Sequence, residues 1–109
     1  MGYNGDMEIK ATDEFDNWLK SIKNSKDRNR IVARIRQCAL AGRPVCEINT
    51  VGEGVSELRY HFGPGYRVYF AQKADVLILL LAGGTKRGQQ TDIDHAHDLL
   101  RTLKEEHQW

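Results

Sequence analysis

Hydrophobic and polar positions alternate along VSELRYHFGPGYRVYF, residues 55–70, in two short runs separated by GPG. Period-two alternation predicts a pair of strands, and Gly63-Pro64-Gly65 predicts the turn between them. If Leu58, Tyr60, Phe62, Val68 and Phe70 face the core, then Glu57, Arg59, His61, Arg67 and Tyr69 share the opposite face. The alternation alone predicts that this second face is open to solvent or forms a shallow cleft.

The rest of the chain fits around this hairpin. MEIKA (7–11) alternates as a short first strand. Phe15, Trp18, Leu19 and Ile22 follow the i, i+3, i+4, i+7 spacing of one helical face, with Asp13 as a candidate cap. Ile31, Val32, Ile35, Cys38 and Ala39 form a second helical stripe, capped by Ser25 or Asp27 and stopped by Gly42-Arg43-Pro44. The short NSKD link predicts an antiparallel helical hairpin. VCEINTVGEG (45–54) reads either as a strand or as an irregular approach. DVLILLLAGG is apolar on both faces and predicts a buried, central strand. Ile93, Ala96, Leu100 and Leu103 predict a last helix, with Thr91 as its candidate cap. The order is strand, two helices, three strands in a meander, helix: an α+β arrangement expected to form one domain over 1–109.

Composition narrows the class. The chain of 109 residues is 40% hydrophobic and 28% charged, which fits a globular domain and excludes a disordered one. Its apolar run is about half the roughly 20 residues of a membrane span, so no membrane role is expected. Cys38 and Cys46 lack CxxC spacing, and the N-terminus has no apolar signal core. A reduced, cytoplasmic chain is the expectation. Net charge is +1, but unevenly spread. Residues 1–16 carry −4, residues 17–43 carry +7 and residues 92–109 carry −3. A basic middle between acidic ends points to a polyanionic or acidic partner at one surface.

Arginine forks match phosphate oxygens, a histidine or carboxylate moves protons, and tyrosine offers a stacking plane for an unpaired base. On one strand face, these are the parts for cleaving RNA without a metal. The ribose 2′-hydroxyl attacks the adjacent phosphate and fixed cations stabilise the developing charge. Each residue also has an ordinary role, as a solvated strand charge or a packed tyrosine. No HExxH, P-loop or nucleophile elbow suggests a different chemistry, and no cofactor is expected.

The stretches DEFDNWLKSIKN, GEGVSELR, GPGYRVYF and LLLAGGTK, at these spacings, resemble toxins of bacterial toxin–antitoxin modules. The resemblance is to the RelE/ParE superfamily, most closely its HigB-like addiction module killer branch. It implies a compact, mostly antiparallel sheet with an N-terminal two-helix hairpin on one face and a C-terminal helix. It implies a cognate antitoxin, a helix-turn-helix DNA-binding protein, and cleavage of translated messenger RNA on the ribosome. Two other functions share this fold: a ParE-like gyrase poison, and a non-catalytic toxin fold that only binds. By the resemblance, Arg59 matches the arginine that contacts the scissile phosphate, and Arg67 a widely shared second arginine. Lys86 or Arg87 stands where catalytic members carry a phosphate-binding basic residue. The expected catalytic set is thus Arg59, His61 and Lys86, with Arg67, Tyr69, Arg87 and Glu57 binding substrate. His95, His97 and His107 are candidates for the C-terminal acid or base.

Overall fold

The computed structural model describes residues 8–40, 47–74 and 77–109. The expected helix stop at Gly42-Arg43-Pro44 and Cys46 lie outside the described residues, as do the side chains of Cys38 and Ala39. The elements run β1 (Glu8–Ala11), α1 (Asp13–Ser21), α2 (Ser25–Leu40), β2 (Ile48–Gly52), β3 (Val55–Arg59), β4 (Tyr66–Lys73), β5 (Leu77–Thr85) and α3 (Gln89–Glu105). A short 3₁₀ turn, Lys86–Gly88, leads into α3. The strands form one sheet in the order β1-β5-β4-β3-β2. β1 runs parallel to β5, and the remaining pairs are antiparallel. The expected α+β architecture is therefore present, and residues 45–54 resolve into a strand from Ile48 onward. β5 is interior but off-centre, and β4 occupies the middle.

Several helix ends differ from the sequence expectation by one to three residues. Thr12, not Asp13, caps α1: its hydroxyl accepts from Phe15 N at 3.0 Å and donates to Leu81 O at 2.6 Å. Asn24, not Ser25 or Asp27, caps α2, its side chain accepting from Lys26 N at 2.9 Å and Asp27 N at 3.2 Å. Thr91 lies inside α3, whose N-cap is Gly88. Thr12 has the extended backbone (φ −78°, ψ 162°) typical of an N-cap.

The sheet is covered on both faces. On one, Phe15, Ile22, Ile31 and Ile35 from the α1–α2 segment pack against Leu58, Tyr60, Tyr66, Val68, Phe70, Ile78 and Leu80. On the other, Ile93, Ala96 and Leu100 of α3 pack against Val55, Tyr69, Ala71, Leu79 and Leu81. The alternation of β4 thus sends Val68 and Phe70 to one core and Tyr69 and Ala71 to another. The same α3 ties down the β2–β3 turn. There Glu53 (φ 53°) and Gly54 (φ 82°) adopt the left-handed conformation that a two-residue type I′ turn requires. Arg101 donates to Glu53 at 2.6 Å, and His97 Nε2 donates to Val51 O at 2.9 Å.

Two adjacent glycines let both covers approach β5. A Cβ on Gly83 would lie 2.2 Å from the Trp18 indole of α1, and one on Gly84 would lie 1.9 Å from the Asp92 carboxylate of α3. Neighbouring strand residues point to opposite faces, so a pair of glycines admits one bulky side chain on each.

Gly83→Ala should destabilise the fold by about 1–3 kcal/mol through overpacking against Trp18, read by thermal denaturation. Trp18→Leu in that background should recover part of the loss. Asp92 yields a pH-dependent test. Burial pushes its carboxyl above the ordinary 3.8, so the folded state holds this proton more tightly than the unfolded chain does. The associated cost is absent below that ordinary value and develops as pH rises through the raised one. Asp92→Asn should therefore raise Tm at pH 7 and leave it unchanged near pH 3.

Candidate functional site

The strand face carrying Glu57, Arg67 and Tyr69 is not open. Glu57 and Tyr69 are 0% exposed and Arg67 is 5% exposed. This overturns the expectation of one solvent-facing row, and the reason is α3, which lies across that face. Arg59 and His61 continue the row where the helical cover ends, with side chains 34% and 72% exposed.

A buried carboxylate organises the covered part. Glu57 Oε1 accepts from Arg59 Nε at 2.5 Å, and its Oε2 accepts from Gln89 Nε2, at the start of α3, at 2.7 Å. Arg67 Nε stands 3.8 Å from the same Oε1, while its Nη1 donates to Gly65 O at 3.2 Å. Glu57 beside Arg59 raises the guanidinium above the ordinary arginine range. The Tyr69 hydroxyl lacks a hydrogen-bond partner; burial first, then the carboxylates of Glu57 and Asp92, push its pKa well up. Neither Arg67 nor Tyr69 presents a surface to an incoming ligand.

Arg59 leaves this network pointing into a groove of about 450 Å³ between α2 and the ends of β2 and β3. Arg30, Ala33, Arg34 and Gln37 form the helical wall. They recur at i, i+3, i+4 and i+7, one exposed face beside the buried Ile31–Ile35 stripe. Glu47, Arg59, Tyr60, His61 and Phe62 form the other wall. Glu47 bridges two of these side chains, with His61 Nε2 at 3.0 Å and Arg59 Nη1 at 3.5 Å. The His61 hydrogen bond, with the positive charge of Arg59 behind it, draws the Glu47 carboxyl below its ordinary range. The Arg30 guanidinium lies 3.7 Å above the Phe62 ring. Phe62 is in turn packed by Tyr60 and Tyr66, with ring centroids 5.7 and 5.6 Å away.

The structure thus brings Arg59 and His61 together and adds Arg30, Arg34 and Glu47, which the strand pattern did not single out. The signal for the two helical arginines was present in the +7 segment; that for Glu47 was not, because only folding sets it against His61. Lys86 and Arg87 are exposed in the 3₁₀ turn and do not line the groove. Lys86 sits beside the GPG turn, its amide donating to Gly65 O at 2.9 Å. The C-terminal histidines stand elsewhere: His95 by Glu14 at 3.3 Å, His97 against the β2–β3 turn, and His107 past the end of α3. Among the described residues, no three His, Cys, Asp or Glu side chains gather to hold a metal ion. No helix there is long and apolar enough to cross a membrane.

The arrangement is a basic, partly aromatic groove backed by an internally braced arginine. Residues 17–104 match the family described as phage derived protein Gp49-like (DUF891), and the chain belongs to that family. It is a family linked to RelE-like toxins of toxin–antitoxin modules. The chain is also similar to an uncharacterized protein of Haemophilus influenzae, 39% identical over 97 residues that cover 89% of this chain and 96% of that protein.

Removing Glu57 would strand the buried Arg67 without its counter-charge. Glu57→Ala should cost about 3–5 kcal/mol, the range for breaking a buried ion pair from one side. Urea denaturation checks this, with the exposed Lys86→Ala, expected within about 0.5 kcal/mol of the parent, as control.

Proposed function

We propose that this chain is the toxin of a bacterial toxin–antitoxin module and an endoribonuclease that cleaves messenger RNA during translation. The observation that supports this reading is Arg59: a guanidinium held from behind by a buried carboxylate and aimed into a basic groove. Such a donor is oriented before substrate arrives, so it stabilises developing phosphate charge without reorganising. The reaction needs no covalent enzyme intermediate. The ribose 2′-oxygen attacks the adjacent phosphorus, its proton passes to a base, and the departing 5′-oxygen takes a proton. Arg59 neutralises the equatorial oxygens of the pentavalent phosphate. His61 is the proton-moving group in reach of the same anion. Lys86 and Arg87, across the GPG turn, are assigned to flanking phosphates. A cognate antitoxin with a helix-turn-helix DNA-binding segment silences the protein by covering its basic surface.

Arg59→Ala should reduce transcript cleavage by about 10²–10³, as loss of one oriented donor does. Arg59→Lys should recover little, because a point charge does not reproduce the bidentate fork. Arg59 also braces Glu57, so these variants are compared at matched soluble levels. Growth arrest and transcript cleavage are measured on induction, with plasmid supercoiling followed in parallel. Arrest with altered supercoiling and intact transcripts would assign a gyrase poison instead. Arrest at full strength in Arg59→Ala would remove the cleavage mechanism.

A further inference from the structure

We infer that the α2 wall of the groove is a base-stacking subsite for single-stranded RNA, built on Arg30 over Phe62. This rests on the reading of the chain as an RNA-cleaving toxin and names the groups that hold the substrate beside the cleavage centre.

Three observations converge on it. The Arg30 guanidinium lies 3.7 Å over the Phe62 ring, while Arg30 itself is exposed. Phe62 is half-buried and packed by two tyrosine rings, Tyr60 edge-on and Tyr66 tilted, which fix its position. A guanidinium seated over an aromatic ring keeps an outer side open to a further layer, and unpaired bases stack on such guanidinium planes. Second, Glu47 seats a carboxylate between Arg59 and His61 in the same groove, which marks where the structure accepts an anion. Third, Arg34 follows Arg30 by one helical turn on the groove wall and adds a cation for a neighbouring phosphate.

These features favour RNA over an acidic peptide. A peptide carboxylate would use the cations but leave the stacked plane unused. A nucleotide uses both, its base on Arg30 and its phosphate in place of the Glu47 carboxylate. A base locked in a duplex has no free face, so the site selects unpaired strands. It carries no donor–acceptor pattern specific to one base, so it is sequence-tolerant.

The test measures binding, separately from cleavage. The full-length protein is titrated with a hexamer of adenosine ribonucleotides containing one 2-aminopurine, following anisotropy and 2-aminopurine quenching at several salt concentrations. Arg30→Lys keeps the charge but loses the plane, and Phe62→Leu keeps the apolar volume but loses the ring. Each should weaken binding roughly tenfold and abolish quenching, with the salt slope of Arg30→Lys unchanged. A hexamer with an abasic site at the probed position, or a duplex of the same length, should bind the parent protein about as weakly as the variants bind the single strand. Equal binding of intact, abasic and duplex RNA, or unaltered binding by Arg30→Lys, would overturn the subsite while leaving the Arg59 mechanism to its own assay. Failure of the parent to bind the hexamer, with binding of a poly-glutamate peptide in the same groove, would also overturn it and mark the groove as a protein-docking surface.

Discussion

A carboxylate with no access to water stands near the centre of this sheet, and much of the structure is arranged to satisfy it. Glu57 has an arginine on one oxygen, a glutamine on the other and a second arginine close by. Removing a carboxylate from water costs several kcal/mol unless its lone pairs are filled, so these partners must be held in place. That requirement couples β3, β4 and the first turn of α3. It also aims Arg59: with Nε engaged by Glu57, the guanidinium's remaining edge is directed into the groove.

The double cover of the sheet follows from the same economy of space. Gly83 admits Trp18 from one side and Gly84 admits Asp92 from the other, so the strand beside β4 brings both layers close. α3 then closes the second core with Ile93, Ala96 and Leu100 and fastens the β2–β3 turn through Glu53 and Val51. What remains accessible is the end of the hairpin beyond α3, where α2 supplies the opposite wall. The groove lies where one helical cover stops and the basic face of another begins.

Charge is sorted by this architecture. The basic segment of the chain places Arg30 and Arg34 along the groove, next to Arg59 and His61, with Glu47 as an internal counter-ion. A net charge of +1 over the whole chain therefore understates the local field that an anion entering the groove would meet. Glu47 ties Arg59 and His61 together within the groove.

Periodicity in the sequence determined the elements themselves. The strand at Glu8–Ala11, the amphipathic helices, the hairpin around GPG, the apolar strand and the last helix are local patterns, and local sterics and burial suffice to specify them. Their exact caps slipped, to Thr12, Asn24 and Gly88, because a cap depends on where the backbone turns rather than on which candidate side chain is nearest. The sequence also carried the basic helical segment, the glycine pair and the family motifs. Only the tertiary structure decided which polar residues are exposed. Glu57, Arg67 and Tyr69 alternate with apolar neighbours as solvent-facing residues do, yet α3 covers them. An acid two residues before one arginine and cross-strand from the neighbourhood of another can be buried as a neutralised set, and no single-strand pattern distinguishes that from a solvated row. The parallel seating of β1 on β5, the meeting of Glu47 with His61 and the stack of Arg30 on Phe62 are likewise contacts between distant segments, and a sequence has no period that encodes them.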